Sequence, residues 1–228
     1  MSKNGHHSDT RKHILQAALR IFADCGYAGT SIQQIVDKAG VSKPALYYYF
    51  SDKEDLFQAL VHQAHDERYR LMQEAAATGS TVAEKLEEIM SAVFEFALKN
   101  RELMRLAFAT AFAAPGETPA RSKCCEKGKR NFEFIRSLIE LGLASGELNP
   151  DFSLDELAMG IYGQLNTHIM IQVLAPECPL NRSAAQRIVR LFLDGAARRV
   201  TVRNGARHSS LPIVGARKSR LARVGNHH

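Results

Sequence analysis

Residues 30–50 read TSIQQIVDKAGVSKPALYYYF, which is the pattern of two short helices separated by a glycine. The Thr30-Ser31 pair supplies an N-cap, and a glutamine follows at the third helical position, as in a capping box. Gly40 stands where the first helix has to end. Ser42 offers a second N-cap, and Pro44 is tolerated only in the first turn of a helix. A capped helix, a turn glycine and a second capped helix predict a helix-turn-helix.

The second of these helices carries three consecutive tyrosines, Tyr47, Tyr48 and Tyr49. Consecutive helical residues point about 100° apart, so the three rings cannot all be buried on one face. Tyrosine hydroxyls donate to phosphate oxygens, tyrosine rings pack against thymine methyls, and the backbone N–H groups at a helix start favour an anion. We therefore predict a DNA-binding surface; the alternative is a helical hairpin whose tyrosines cover a core or a partner chain. The predicted outer positions are Ser42, Lys43, Ala45, Tyr47 and Tyr48.

The whole chain has the composition of a helical globular protein. Of its 228 residues, 45% are apolar and 24% are charged, which excludes a fully disordered chain and a collagen-like fibre. Aromatic residues make up only 7% and Trp is absent, so we expect an all-α fold rather than a sandwich or barrel. No apolar stretch approaches the roughly 20 residues of a membrane-spanning helix, and the first residues lack the apolar segment of a secretory signal. We expect a cytoplasmic protein without a membrane segment.

The net charge of +6 comes entirely from the C-terminal end. Six of the 30 basic residues and none of the 24 acidic residues lie in 203–228, so residues 1–202 are neutral overall. Because this end is rich in Gly, Ser, Arg and His and lacks apolar periodicity, we predict a disordered basic tail. The tail is either a solvated appendage or a non-specific attractor of phosphate. The basicity of the chain is therefore no argument for a DNA-binding domain.

N-cap residues mark helix starts along the rest of the chain. Ser51, Thr81 and Ser153 each open a capping box, and Asn181 caps a last helix. Nothing in the sequence has the pattern of a strand. We predict four segments: a disordered N-terminus over 1–9, a helix-turn-helix DNA-binding domain over 10–55, an effector-binding and dimerisation domain over 56–202, and the disordered tail over 203–228.

The helix-turn-helix segment resembles the TetR family of transcriptional repressors. The resemblance rests on four stretches, 26–31 (GYAGTS), 35–42 (IVDKAGVS), 46–50 (LYYYF) and 53–56 (KEDL). It is strong over residues 10–60 and extends further only through the length and the all-helical pattern. It implies that the first three helices form the DNA-binding unit and that the fourth links this unit to a C-terminal ligand-binding domain. It also implies that the last two long helices form a homodimer.

The resemblance further implies roles for single residues. Thr30 is expected to cap the second helix beside a DNA phosphate, and Lys53 is expected to contact the DNA backbone at the start of the fourth helix. Pro44 is expected to rigidify the recognition helix and to present an apolar surface to the bases. The full set of predicted DNA-binding residues is Thr30, Ser31, Ser42, Lys43, Pro44, Ala45, Tyr47, Tyr48 and Lys53.

Polar residues interrupt the apolar helix that is predicted to follow Ser153, among them Gln164 and His168. A buried polar group needs a partner, which is a neighbouring helix, a water molecule or a ligand. We predict a pocket for a small, largely apolar effector; the alternative is that these side chains only fill the core. The predicted pocket residues are Phe94, Phe108, Tyr162, Gln164 and His168.

The last two predicted helices carry apolar stripes at helical spacing, and the first of them contains Gly160 and Gly163. Each internal glycine costs about 1 kcal/mol relative to alanine, so two of them indicate that another backbone or a ligand comes close. We predict a two-fold, four-helix seam between two copies, with an intrachain core as the alternative. A dimer reads two half-sites, so we expect a near-palindromic operator. The predicted interface residues are Leu157, Ile161, Leu165, Ile188 and Phe192.

The sequence shows no motif of a familiar catalytic site, such as a phosphate-binding glycine loop, a nucleophile elbow or a dinucleotide fingerprint. His62 and His65 share one helix face, but a zinc site needs further ligands. We predict no enzymatic activity, no metal and no cofactor. The predicted function is a repressor that releases a double-stranded DNA operator when the effector binds, in the cytoplasm and on the nucleoid when bound to the operator. The alternative is a helical-bundle enzyme or carrier whose tyrosine-rich segment is an interaction surface.

Overall fold

The computed structural model describes residues 3–114, 117–118, 121–175, 177 and 180–196. These residues form nine α-helices and no strand, which confirms the predicted all-α fold. No helix within them is long and apolar enough to cross a membrane. The predicted tail over 203–228, and the end of the predicted last helix over 197–202, lie outside the described residues. The helices are α1 (Lys3–Cys25), α2 (Ile32–Ala39), α3 (Lys43–Tyr49), α4 (Lys53–Ala76), α5 (Val82–Lys99), α6 (Arg101–Phe112), α7 (Arg121–Ser145), α8 (Leu154–Leu174) and α9 (Arg182–Ala196).

Most of these helices begin where the capping pattern predicts. Ser42, Thr81 and Ser153 are N-caps whose hydroxyls accept a hydrogen bond from a backbone N–H in the first turn. Asn181 does the same for α9, where its Oδ1 accepts from the Ala184 N–H at 2.9 Å. Each cap satisfies one of the N–H groups that the start of a helix leaves without a partner. The start of each of these helices is therefore determined by a contact between residues that are three positions apart.

The predicted start of α4 is wrong by one residue. Asp52, and not Ser51, is the N-cap, and its carboxylate accepts from the Asp55 N–H at 2.7 Å. Ser51 instead donates its own N–H to Asp55 Oδ2 at 3.0 Å. A carboxylate is the stronger acceptor at a helix N-terminus because the helix dipole favours negative charge there.

Residues 3–9 are helical, which corrects the predicted disorder of the N-terminus from Lys3 onward. The buried Ile14 and Ala18 hold the later turns of α1 against the rest of the chain. Adding turns to a helix that already exists requires no new nucleation, so α1 extends beyond its buried part. The spacing of apolar residues in the sequence predicts only the buried part of α1.

The first three helices pack with the start of α4 around an aromatic cluster. The Phe22 and Tyr27 rings each lie 5.0 Å, centroid to centroid, from the Phe57 ring in edge-to-face geometry. Ile35 of α2 and Leu46 of α3 are fully buried. Edge-to-face pairs add to the free energy that burial of the rings already contributes, so these contacts hold the start of α4 against α1 and the loop that follows it.

Two helices connect this part to the remaining bundle. α4 has 24 residues and is about 36 Å long, and it packs against α1, α5, α6 and α7. α6 packs against α1 as well as α7 and α8. Because α4 and α6 contact both α1 and the later helices, a shift of either one changes its contacts with α1.

Candidate nucleic-acid interface and cavity

The turn between α2 and α3 is built from local contacts. Ser31 caps α2 in a reciprocal capping box, in which the Ser31 Oγ accepts from the Gln34 N–H at 3.2 Å and Gln34 Oε1 accepts from the Ser31 N–H at 2.8 Å. Gly40 has φ 66°, a left-handed conformation that glycine adopts without steric cost. Its N–H and that of Val41 return to carbonyls at the end of α2. The chain therefore leaves α2 in one defined direction.

α3 presents the tyrosines to solvent. Ser42 Oγ accepts from the Ala45 N–H at 3.3 Å, and Pro44 lies in the first turn. Leu46 is fully buried, whereas Tyr47 and Tyr48 are 50% and 72% exposed. Within the described part of the chain, these two rings therefore do not cover a core. Ser31, Ser42, Lys43 and Pro44 are also exposed, and Ala45 is half-buried.

Thr30 does not cap α2, so that prediction is wrong. Its side chain is buried at 3% exposure, and its hydroxyl donates to the Gly26 carbonyl at 2.6 Å. Ser31 is extended at φ −113° and ψ 153°, the backbone conformation that an N-cap requires. Thr30 therefore closes the loop between α1 and α2, and the next residue supplies the cap.

Lys53 has a structural role that the sequence pattern did not predict. Its Nζ donates to the carbonyls of Tyr27 and Thr30 at 3.0 and 2.9 Å. The same ammonium lies 4.3 Å from the centroid of the Tyr27 ring, within the range of a cation–π contact. The start of α4 is therefore tied to the loop that precedes α2. Burial raises the pKa of the Tyr27 phenol.

A second feature is a cavity of about 350 Å³ between α4, α6, α7 and α8, a size typical of small-molecule sites. Phe108 and Tyr162, both predicted pocket residues, line it. Most of the wall is apolar, and the polar side chains are few. The lining residues are Ala64, His65, Arg68, Met104, Ala107, Phe108, Thr110, Ala111, Phe112, Gly128, Tyr162 and Asn166.

The other three predicted pocket residues lie elsewhere. Phe94 is fully buried in the core, with its ring 6.2 Å from that of His168. His168 Nδ1 is 2.7 Å from the Gln164 carbonyl oxygen, one turn back along α8. The histidine finds its partner within its own helix, so its presence in an apolar segment requires no ligand. None of the three lines the cavity.

The lining residue Arg68 places a positive charge in a buried position of the cavity wall. It is 8% exposed, and its Nη1 donates to Asn166 Oδ1 at 2.8 Å. Its guanidinium carbon lies 5.1 Å from the centroid of the Tyr162 ring. Burial and the Arg68 charge lower the pKa of the neighbouring His65 to about 4, so that imidazole is neutral near pH 7. A sequence signal existed, because Arg68 continues the buried i, i+4 series of Ala64 on α4.

The predicted dimer residues are buried within the chain. Leu157, Ile161 and Leu165 of α8, and Ile188 and Phe192 of α9, are each less than 10% exposed. They form the intrachain core that was the alternative. Other large apolar side chains of the same helices are exposed, with Met159 at 66%, Ile171 at 41% and Leu191 at 68%. A Cβ added at Gly163 would meet nothing within 4 Å, whereas one at Gly160 would touch the Phe192 ring at 3.5 Å.

Residues 14–60, which include all of α2 and α3, match the family model described as bacterial regulatory proteins, tetR family. The chain is 24% identical over 200 residues to the transcriptional repressor KstR2 of Mycolicibacterium smegmatis, across 87% of this chain and 94% of KstR2. The structure of the fatty acid degradation regulator FadR of Bacillus halodurans aligns with a TM-score of 0.73 and 21% identity, over 82% of this chain and 95% of FadR. FadR of Bacillus subtilis, solved in complex with stearoyl-CoA, aligns with a TM-score of 0.69 and 22% identity, over 81% of this chain and 98% of that one. At these identities the two structures establish a shared fold alone.

Three findings now agree. The helix-turn-helix exposes its second helix, the family match covers this segment, and KstR2 aligns over nearly its whole length. Residues 14–60 therefore match the DNA-binding segment of the TetR family, and the chain as a whole resembles transcriptional regulators, which are not enzymes.

Proposed function

We propose that the protein is a ligand-responsive repressor. In this proposal a homodimer binds a near-palindromic operator and releases it when a small, largely apolar effector occupies the cavity. The observation that carries the proposal is the exposure of Tyr47 and Tyr48 on a helix whose opposite side is buried through Leu46. The site of action is then the bacterial cytoplasm, where the chromosome lies.

α3 is proposed to enter the major groove. Tyr47 and Tyr48 offer hydroxyl donors and ring faces to bases and phosphates, and Lys43 at the helix start offers a charge to the backbone. The Ser42 hydroxyl and the N–H groups at the two helix starts suit phosphate oxygens. The Ser31 hydroxyl donates to Gln34 Oε1 at 2.9 Å and would exchange that acceptor for a phosphate oxygen. Pro44 and Ala45 complete the surface toward the bases. Thr30 then acts by holding the loop and not by direct contact.

Lys53 is proposed to serve both the loop and the DNA. A lysine ammonium has three N–H groups, and two of them go to the carbonyls of Tyr27 and Thr30. The charge and the third N–H suit a phosphate at the N-terminus of α4. A DNA contact at this position is therefore linked mechanically to the loop before α2.

The homodimer is proposed to form through exposed apolar side chains of α8 and α9. Met159, Ile171 and Leu191 are large and open to solvent, and they lie on the two helices that the TetR resemblance assigns to the dimer. Gly163 leaves room for the close approach of a second helix. The DNA-binding domain is kept at 10–55 and the effector-binding and dimerisation domain at 56–202.

Effector binding is proposed to act on DNA through α4. This helix begins at Lys53, which holds the loop before α2, and continues to Arg68 in the cavity wall. An effector that favours one position of α4 changes the separation of the two recognition helices in a dimer. Its differential affinity for the two positions sets the size of the response. A protein of the same fold binds stearoyl-CoA, which agrees with an apolar effector.

The test is a selection of random-sequence DNA duplexes on the purified full-length dimer, followed by fluorescence-anisotropy titrations. We expect an enriched near-palindrome that binds at least about a thousandfold more tightly than unrelated duplex at the same salt concentration. Compounds that raise the melting temperature of the protein should weaken binding to this sequence by about 5- to 150-fold. Failure to enrich any sequence would overturn the proposal. If a sequence is enriched but ligands strengthen binding to it, only the proposed release of the operator by the effector would be overturned.

A further inference from the structure

The cavity wall contains a buried cation with incomplete pairing. Arg68 Nε and Nη2 are covered and have no hydrogen-bond partner among the described residues. Within those residues no carboxylate forms an ion pair with Arg68, because the neighbouring Asp66 is bound by Lys127 at 2.5 Å and Arg130 at 2.8 Å. The single hydrogen bond seen for the guanidinium goes to the neutral amide of Asn166.

This arrangement is unfavourable for the protein alone. Buried charges in proteins are normally paired and fully hydrogen-bonded, because desolvation penalises a lone charge heavily. The face of the Tyr162 ring compensates part of that penalty through its quadrupole. His65 adds no negative charge, since its side chain is neutral near pH 7. An anion would supply both the missing charge and the missing hydrogen-bond acceptors.

We infer that the effector carries an anionic head group that pairs with Arg68, and an apolar chain that lies against Met104, Phe108 and Phe112. This inference rests on the proposed function, in which the cavity is the effector site. Nε and Nη2 lie on one edge of the guanidinium and donate two parallel N–H groups, which match the two oxygens of a carboxylate or phosphate. Because both nitrogens are covered, the side chain turns toward the cavity when the anion binds.

The size of the cavity narrows the ligand class. At about 350 Å³ it is near the lower end of the range for small-molecule sites. A medium-length chain with one head group suits this space, whereas a nucleotide-sized head group does not fit inside together with the chain. The cavity wall along α6 is apolar, and its last residue, Phe112, is exposed. The ligand class is therefore a medium-chain organic anion.

The test uses isothermal titration calorimetry on the full-length protein with three probes of equal chain length: decanoate, decyl phosphate and 1-decanol. Four proteins are compared, which are the wild type, Arg68→Met, Arg68→Lys and Arg70→Met. Arg70 is a matched control, because it lies on the same helix but is exposed and bound to Glu67 and Glu74. The preferred anion of the two identifies the head group as a carboxylate or a phosphate.

We expect the wild type and Arg70→Met to bind the better anion at least about tenfold more tightly than 1-decanol, as for a charge-assisted hydrogen bond. Arg68→Met should bind all three probes alike and melt no lower than the wild type, because it removes an unpaired buried charge. Arg68→Lys should keep part of the preference, since it retains the charge without the planar fork.

Each other outcome has a defined meaning. Equal binding of the anions and 1-decanol by the wild type would overturn the role of Arg68 and leave the apolar effector cavity in place. A preference for an anion that persists in Arg68→Met would also overturn it. If Arg68→Met fails to fold, the comparison between the wild type and Arg68→Lys is the test. An unchanged preference of Arg68→Lys for the anion over 1-decanol would contradict the proposed pairing of the Arg68 guanidinium with two oxygens of the anion. Binding of no probe would overturn this inference, while the DNA selection separately decides the proposed function.

Discussion

The exposed part of α3 and the exposed part of α8 and α9 differ in the polar groups that accompany their apolar side chains. On α3, Tyr47 and Tyr48 follow a helix start that carries the Ser42 hydroxyl and the Lys43 ammonium. On α8 and α9, the exposed side chains include Met159 and Leu191, which have no hydrogen-bond donor. A surface of donors and aromatic rings suits phosphates and base edges, whereas an aliphatic surface suits another protein. Exposure alone therefore does not identify a partner, but the chemistry beside it does.

The largest effect is expected from a charge on the aliphatic surface. Leu191→Glu places a carboxylate in the proposed dimer seam, where it is buried without a partner, so we expect monomers. Operator affinity should fall by about a hundredfold or more because the two half-sites are no longer bound together. Since Leu191 is 68% exposed in the single chain, the monomer should stay folded. Analytical ultracentrifugation and circular dichroism measure the two properties.

The control for this substitution is Leu141→Glu on α7, where the leucine is 57% exposed but lies outside the proposed seam. This variant should remain a dimer with unchanged operator affinity. A Leu191→Glu protein that stays dimeric would show that α8 and α9 do not form the seam. Substitution at the buried Ile161 or Phe192 is not a test of the seam, because a charge there would unfold the chain.

The next effect concerns the aromatic surface. Tyr47→Ala should weaken binding to the selected operator by about 1–3 kcal/mol, because a base-contacting side chain is lost. Binding to unrelated duplex should change little, and the protein should stay folded because half of the Tyr47 side chain is exposed. Phe152→Ala, which removes an exposed ring far from α3 in sequence, should leave DNA binding unaffected. An operator affinity of Tyr47→Ala equal to that of the wild type would refute the major-groove assignment.

A third prediction separates fold from DNA contact within the same surface. Lys53→Met and Lys43→Met should each weaken binding to all duplexes alike and lower the salt dependence by about one ion per subunit. Only Lys53→Met should also lower the free energy of unfolding, by about 1–3 kcal/mol, because it loses the hydrogen bonds to the Tyr27 and Thr30 carbonyls. Salt titrations and urea denaturation measure the two effects. Equal stability of the two variants would show that Lys53 does not hold the loop.

The same contrast explains what the sequence predicts and what it does not. The start and end of α2 follow from contacts between residues that are three to five positions apart, such as Ser31 with Gln34 and Gly40 with Asp37. Such contacts can be read from spacing. The exposure of Tyr47 and Tyr48 follows from the same local period, since Leu46 takes the buried position.

The faces of α8 could not be assigned in this way. This helix is apolar on more than one side, so the stripe with Ile161 and the stripe with Met159 are equally good candidates for a core. The packing of α8 against α5, α6, α7 and α9 decides which stripe is buried. The cavity has the same origin, because Arg68 meets Asn166 across 98 positions of sequence. Spacing carries no signal for contacts at that separation.

The smallest effect compares one cap from each surface. Ser42→Ala at α3 and Ser153→Ala at α8 each remove a hydroxyl that accepts from a backbone N–H, so each should lower the free energy of unfolding by about 1 kcal/mol. Only Ser42→Ala should also weaken DNA binding, because the lost hydroxyl is a donor that is proposed to bind a phosphate. Urea denaturation and anisotropy titrations at one salt concentration measure both properties. If Ser153→Ala weakened DNA binding as much as Ser42→Ala, the loss would reflect general stability, and the proposed phosphate contact at the start of α3 would be refuted.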